Sequence, residues 1–307
     1  MPPFSINLYN KYTRILIELS KIFLSISLNS KIPTYDELSA KYNVGRGTIK
    51  KAINYLMLIE AITLKMRGSS GTFIISKNVD SLIKVLNIDD LLGVMPLPYS
   101  TIYEGLATGL MYSFINKNDI KINLSFMRNA IYRIDELLSG RYDFAVVSRH
   151  SAETALINGK NIQIVKDFGP GSYMSYHVLI TRRTDINEIR DSLKIGFAKS
   201  AITQNQITEE LCEGYNVEFV ESEYSEMIPN IVNGKIDAAV WNRDEVSEAL
   251  SNIRMIPVKK EQSESNAVLI INGEKEYLFE ILNKLIDVEY VVDIQNKVIN
   301  GDLLPHY

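Results

Sequence analysis

The apolar residues of positions 11–28 fall on one helical face. Ile15, Leu16, Leu19, Ile22, Phe23 and Ile26 recur at the spacing of an amphipathic helix, a pattern that predicts core packing and no chemistry. Thr34, followed three residues later by Glu37, carries the signature of a capping box, so a short helix starts there with Leu38 and Tyr42 turned inward. Asn43-Val44-Gly45 suits a tight turn, and a second helix follows with Ile49, Ala52, Ile53 and Leu56 on its buried face. Subtracting that face leaves Arg46, Gly47, Lys50, Lys51, Asn54 and Tyr55 outward. Residues 61–64 and 72–75 then read as strands flanking a glycine-rich turn, Lys65-Met66-Arg67-Gly68-Ser69-Ser70-Gly71. This order predicts a winged helix-turn-helix over residues 1–77.

Residues 78–90 hold Leu82, Ile83, Val85 and Leu86 and lack Gly and Pro, which predicts a helical linker stiff enough to transmit a movement. Farther on, apolar runs at 91–95, 122–127, 144–147, 162–165, 178–181, 195–198, 217–220, 236–240 and 266–271 read as strands. Helical patterns lie between them near 102–116, 131–139 and 151–157, and two more close the chain near 275–288 and 289–299. Such alternation predicts an α/β domain with mainly parallel sheets. One internal repeat sharpens this. The ten residues from Gly140 to Arg149 match those from Gly234 to Arg243, with Gly, Asp, Ala, Val and Arg coinciding 94 residues apart. A left-handed Gly that ends a helix, then an Asp that opens a strand, is the local reading, and its recurrence predicts two similar lobes.

Charge divides the chain in the same place. The whole sequence has 33 basic and 37 acidic side chains and a formal charge of −4, yet residues 1–76 hold ten basic and four acidic ones. A basic head on an acidic body points to a nucleic-acid partner for the head alone. Lys50 and Lys51 would meet phosphates or base edges in the major groove, Arg46 sits at the helix start where base contact is easiest, and Arg67 could enter the minor groove. The bland alternative is a solvated basic face, which most exposed helices carry.

The run Pro33-Thr34…Leu38…Val44-Gly45-Arg46-Gly47-Thr48-Ile49…Ala52…Leu56, with Arg67-Gly68…Gly71-Thr72-Phe73 after it, resembles the winged helix of GntR-type bacterial repressors. The resemblance covers about a quarter of the chain and places Arg46, Thr48 and Gly68 at DNA-contacting positions, with Thr34 a further candidate. Two residues depart from the family pattern: Gly45 stands where Ser is usual, and Asp36 where Arg is usual. The second removes one expected DNA contact. Met95-Pro96-Leu97-Pro98-Tyr99-Ser100 and the segment Tyr103 to Leu110 resemble the YhfZ-like branch of these regulators.

A two-lobed α/β body of this length is similar to the type 2 periplasmic-binding-protein fold. That resemblance implies lobe one at 91–170 and 266–307, lobe two at 171–265, and crossing strands near 173–181 and 266–271. Ligands of open α/β sheets sit beyond the carboxyl ends of strands. Four such exits are legible: 96–101, 148–151, 199–203 and 241–244. They offer the hydroxyls of Ser100, Ser148 and Ser200, the cations Arg149, Lys199 and Arg243, and an apolar wall of Tyr99 and Trp241. Hydroxyls, cations and free helix N–H groups together point to a small anionic effector. Equally plain readings remain for single residues, with Arg149 in a surface ion pair and Trp241 as a packing anchor.

Signals for catalysis are thin. His150, His177 and His306 are scattered without metal-ligand spacing, Cys212 lacks a visible base, and Gly105…Gly109 lacks a phosphate-loop Lys, which makes it helix packing. One cysteine allows no internal disulfide, and neither a secretory leader nor a membrane-length apolar run is visible. The expectation is a cytoplasmic, homodimeric DNA-binding regulator that binds a double-stranded operator and a small effector, with no cofactor, metal or membrane. The alternatives are a metabolic transferase with a vestigial winged helix and a ligand-free dimerisation body.

Overall fold

The structure, a computed structural model, describes residues 10–115, 120–174, 176–198, 202–243, 246, 252–258 and 265–307. They form two compact units. One holds the residues up to Asp90 together with Glu274–Leu285, and the other holds Leu91–Gly273 with Ile286–Tyr307.

In the first unit α1 (Lys11–Ser25) buries Ile15, Leu19 and Phe23, the face its periodicity predicts. The capping box forms as written in the sequence. The Thr34 hydroxyl accepts from the Glu37 amide at 3.2 Å, the Glu37 carboxylate accepts from the Thr34 amide at 2.7 Å, and α2 (Tyr35–Tyr42) begins. Asn43 takes a left-handed conformation at φ 51°, which turns the chain into α3 (Arg46–Leu58). Strands β1 (Ile62–Met66) and β2 (Thr72–Lys77) pair antiparallel as the wing.

Two segments join this unit against expectation. The apolar residues of 78–90 form a helix as expected, α4 (Val79–Leu86), but its Leu82, Ile83 and Leu86 are buried against α1, so it belongs to the core of this unit. The pattern near 275–288, expected in lobe one, forms α10 (Tyr277–Leu285), which packs on α1 and α4 through an apolar face that includes Leu278, Ile281 and Leu282. Lys77 fastens it there. Its nearly buried ammonium donates to the Leu24 and Ile26 carbonyls at the end of α1 and to Glu280 at 2.9 Å.

The second unit contains two five-stranded sheets. Their strands in chain order are β3 (Asp90–Met95), β4 (Lys121–Phe126), β5 (Phe144–Ser148), β6 (Ile162–Asp167), β7 (His177–Thr181), β8 (Lys194–Phe197), β9 (Glu218–Glu221), β10 (Ala238–Asn242), β11 (Arg254–Pro257) and β12 (Ala267–Asn272). The sheet orders are β4-β3-β5-β12-β6 and, read from the far edge, β9-β8-β10-β7-β11. They share one plan. In each sheet the fourth strand runs antiparallel to both neighbours, so the sheets are mixed and not mainly parallel. The cause is connectivity: β7 and β12 are the strands by which the chain enters the second lobe and returns to the first.

The repeat in the sequence is visible as duplicated bonding. Gly140 and Gly234 have φ of 84° and 70° and end α6 (Ala130–Leu138) and α9 (Met227–Val232). Asp143 then exchanges two bonds with Leu92 on β3, its amide donating to the carbonyl at 2.8 Å and its carboxylate accepting from the amide at 3.0 Å. Asp237 does the same with Lys194 on β8, at 2.8 and 2.9 Å. Beyond the strands, the Arg149 amide donates to Asn266, just before β12, and the Arg243 amide donates to Tyr176, just before β7. Each of these residues sits at the same step of its lobe.

The strand missed by the sequence reading, β11, is an edge strand ending in Pro257, where the absent N–H breaks no central ladder. Both faces of the second sheet are covered. Val178, Ile180, Ala239 and Trp241 pack with Met227 and Ile231, while Leu179, Ile195, Ala238 and Val240 pack with Ile186 and Ile207.

Gly105 and Gly109 let α5 (Thr101–Ile115) approach α11 (Val288–Ile299). A Cβ on Gly109 would stand 2.6 Å from the Val291 carbonyl oxygen, and one on Gly105 would stand 2.7 Å from that of Gln295. Backbone cannot rotate aside, so Gly109→Ala should separate the helices and cost about 1–3 kcal/mol in urea unfolding. Unchanged stability would show that the helices do not meet this closely.

Candidate DNA-reading face and the pocket beyond the strand exits

The outward face of α3 is as the periodicity predicts: Arg46, Gly47, Lys50, Lys51, Asn54 and Tyr55 are all exposed, and Thr48 is half-buried. Gly45 caps the helix without a side-chain bond. Arg46 does not stand alone, for its Nε lies 3.1 Å from the Asp36 carboxylate, with both side chains about two-thirds exposed (66% and 69%). An ion pair this exposed stabilises little but restricts where the guanidinium points. Thr34 has its hydroxyl engaged in the capping box. At the wing, Arg67 lies over the Phe73 ring at 4.4 Å, and Gly68, at φ +56°, opens the tip of the turn.

In the second unit the exits gather unevenly. A pocket of about 260 Å³ is lined by Tyr99, Arg128, Tyr224, Ser225, Ile228 and Trp241. Tyr99 follows β3 and Arg128 follows β4. Tyr224 follows β9, Ile228 lies on α9, and Trp241 lies on β10. The Arg128 guanidinium lies 5.7 Å from the centre of the Tyr99 ring, and the Tyr224 and Trp241 rings are 4.3 Å apart at 34°. Trp241 is 4% exposed, and its indole N–H has no hydrogen-bond partner among the described residues. Behind Tyr99 stand Tyr103 and then Tyr173, each meeting the next edge to face at 6.0 and 5.4 Å. The buried Arg133 holds this row by donating to the Tyr173 hydroxyl at 2.8 Å and to the carbonyls of Val146 and Met127.

Of the other expected ligand residues, none lines this pocket among those described. The Ser100 hydroxyl accepts from the Tyr103 amide at 3.4 Å and so caps the start of α5. The Ser148 hydroxyl caps α7 (Arg149–Ile157), accepting from the Ser151 amide and donating to the Ser151 hydroxyl. Arg149 is turned to Asp167 at 2.8 Å and to Glu153 at 3.0 Å, the surface-pair reading of that residue. Arg243 bonds Tyr176 through its backbone. Lys199 and Ser200 lie outside the described residues. Arg128, Tyr224, Ser225 and Ile228 were missed, although the ends of β4 and β9 are strand exits like the four that were read.

Asp167 gathers the bonds that root the second lobe. It accepts from the Gly169 amide at 2.8 Å, the Asn266 side chain at 2.9 Å and Arg149. Burial alone would raise its carboxyl, but these donors outweigh burial and hold it below the ordinary carboxylate range. The carboxylates of Asp167 and Glu153 in turn raise Arg149. Cys212 is buried, and desolvation pushes its thiol up to about 11, away from thiolate chemistry. No group of metal-ligating side chains occurs among the described residues, and among them no helix is long and apolar enough to cross a membrane.

A helix-turn-helix unit with a wing is followed by a two-lobed body with mixed sheets, which has the periplasmic-binding-protein-like fold. The sequence profile of the YhfZ C-terminal domain matches residues 78–307, and that of a helix-turn-helix domain matches 29–74. The chain belongs to the YhfZ family. The uncharacterized protein YhfZ of Escherichia coli (strain K12) is 28% identical over 297 residues, 95% of this chain and 96% of that one. The crystal structure of YhfZ from Shigella flexneri superposes with a TM-score of 0.62 at 29% identity, covering 75% of this chain and 98% of that one. The periplasmic VFT2 domain of Bordetella pertussis BvgS shares the fold, with a TM-score of 0.53 at 14% identity over 71% of this chain and 96% of that one.

Trp241 is the sole tryptophan of the sequence, so the intrinsic indole fluorescence reports on this pocket alone. Its emission should be blue-shifted and poorly quenched by acrylamide. Tyr224→Ala, which removes the ring above it, should red-shift the emission and raise the quenching constant. An emission typical of free indole in the unaltered protein would contradict the burial described here.

Proposed function

We propose that this chain is a DNA-binding transcriptional regulator, with a winged helix of GntR type, whose two-lobed body binds a small anionic effector. It acts in the cytoplasm as a homodimer, without catalysis of its own. The observation that carries the reading is the exposed basic face of α3, offered by a capped helix-turn-helix with a wing beside it. Lys50 and Lys51 serve phosphates, Arg46 and Thr48 face base edges, and Arg67 with Gly68 forms the wing contact. Two such heads read a palindromic site, and joining them in a dimer raises affinity through effective concentration.

The effector seat is the pocket of Tyr99, Arg128 and Trp241, with Arg128 as its positive charge. Coupling has a covalent route. The chain passes between the two units three times, after Asp90, after Gly273 and after Leu285, so α4 and α10 are each tied directly to segments of the body. An effector that prefers one arrangement of the lobes can then shift the heads, provided its affinity differs between the states.

The test is duplex binding by the full chain, with DNA taken from beside its own gene, at several salt concentrations. Arg46→Ala and Lys50→Ala should each weaken binding, and Lys50→Ala should reduce the slope of log K against log salt by about one. Equal binding by all three proteins would sink the reading. Asp36→Ala should raise affinity for unrelated duplexes, because it removes a carboxylate from the face that meets phosphate.

A further inference from the structure

We propose that the pocket between Tyr99 and Trp241 takes a planar ring bearing one carboxylate, a single-ring monocarboxylic acid, in preference to amino acids, sugar phosphates or quaternary ammonium compounds. This rests on the effector-binding reading above and adds the chemical class of the ligand.

The lining holds one guanidinium and no carboxylate among its described residues. Among the described residues Arg128 makes no ion pair, and its guanidinium lies against the Tyr99 ring. A guanidinium held over a ring keeps N–H groups for a carboxylate, which it binds in two-pronged fashion. A free amino acid would bring an ammonium into a lining that offers it no carboxylate, and desolvating that charge is costly. A phosphate dianion would meet one cation where two charges need balancing.

Ring geometry narrows the class further. Tyr99 and Tyr224 supply aromatic surfaces, and Tyr224 rests on the buried Trp241 ring as an inclined pair. Rings of this kind accept a flat face by offset stacking. They could also cage a cation, but Arg128 already lies over Tyr99 and repels a second positive charge. The exposed Ser225 hydroxyl favours a ligand that carries acceptor oxygens. At about 260 Å³ the cavity falls below the usual range for drug-sized ligands, a size that suits one ring.

The experiment follows Trp241 emission of the full chain during titration with benzoate, acetate, phenylalanine, glucose 6-phosphate and phenyltrimethylammonium. Benzoate should give a saturable change at least tenfold tighter than acetate. The Arg128→Ala variant should lose at least tenfold in benzoate affinity, while Arg141→Ala, a surface arginine paired with Glu136, should not change it. Acetate binding as well as benzoate would overturn the role of the ring. A saturable response to phenyltrimethylammonium, phenylalanine or the sugar phosphate with none to benzoate would overturn the class. No response to any probe would also overturn it. Benzoate binding in a protein that ignores DNA would leave this inference standing and remove the regulator reading, so the two fail separately.

Discussion

The carboxylate of Asp167 is the point on which the two-lobed body depends. The chain leaves the first sheet at Asp167 and returns to it at Ala267, so about a third of the protein is inserted between two neighbouring strands. An insertion of that size needs its two ends held side by side. Asp167 does this by accepting from Gly169 on the outgoing chain, from Asn266 on the returning chain, and from Arg149 at the end of β5. Main-chain bonds continue the seam, from Phe168 to Ala267 and from Tyr173 to Ser265. A partly buried carboxylate is costly unless its oxygens are occupied, and here three donors occupy them.

That root explains why the pocket is built as it is. Arg149 has the right charge and stands at the right exit for a ligand contact, but it is drawn into the seam by Asp167. The positive charge of the pocket then comes from Arg128, two strands away beyond the edge strand β4. The two lobes repeat one plan, and the pocket uses matching places in each, the end of β4 for Arg128 and the end of β9 for Tyr224. A duplicated fold therefore supplies a paired set of exits, and side-chain identity decides which of them carry charge and which carry rings.

Local signals were legible in the sequence because their causes are local. The Thr34–Glu37 cap, the left-handed turn at Asn43, the apolar face of α3 and the Gly-to-Asp junction repeated at 140–143 and 234–237 each involve residues within a few positions of one another. What escaped depends on distant partners. The amphipathic pattern of 78–90 says that a face must be buried but not that α1 buries it, and nothing near Tyr277 indicates that α10 packs with a unit whose other helices end almost two hundred residues earlier. β11 is short and ends in proline, so only its pairing with β7 reveals it. Arg128 looks like any surface arginine until the Tyr99 ring is placed beneath it.

That Asp167 roots an inserted lobe is tested most directly by amide hydrogen exchange in Asp167→Ala compared with the unaltered chain. Faster exchange should be confined to the amides of residues 168–174 and the first residues of β12, with α3 and the centre of β10 keeping their protection. Unchanged exchange at the seam, or an equal loss of protection throughout the chain, would contradict it.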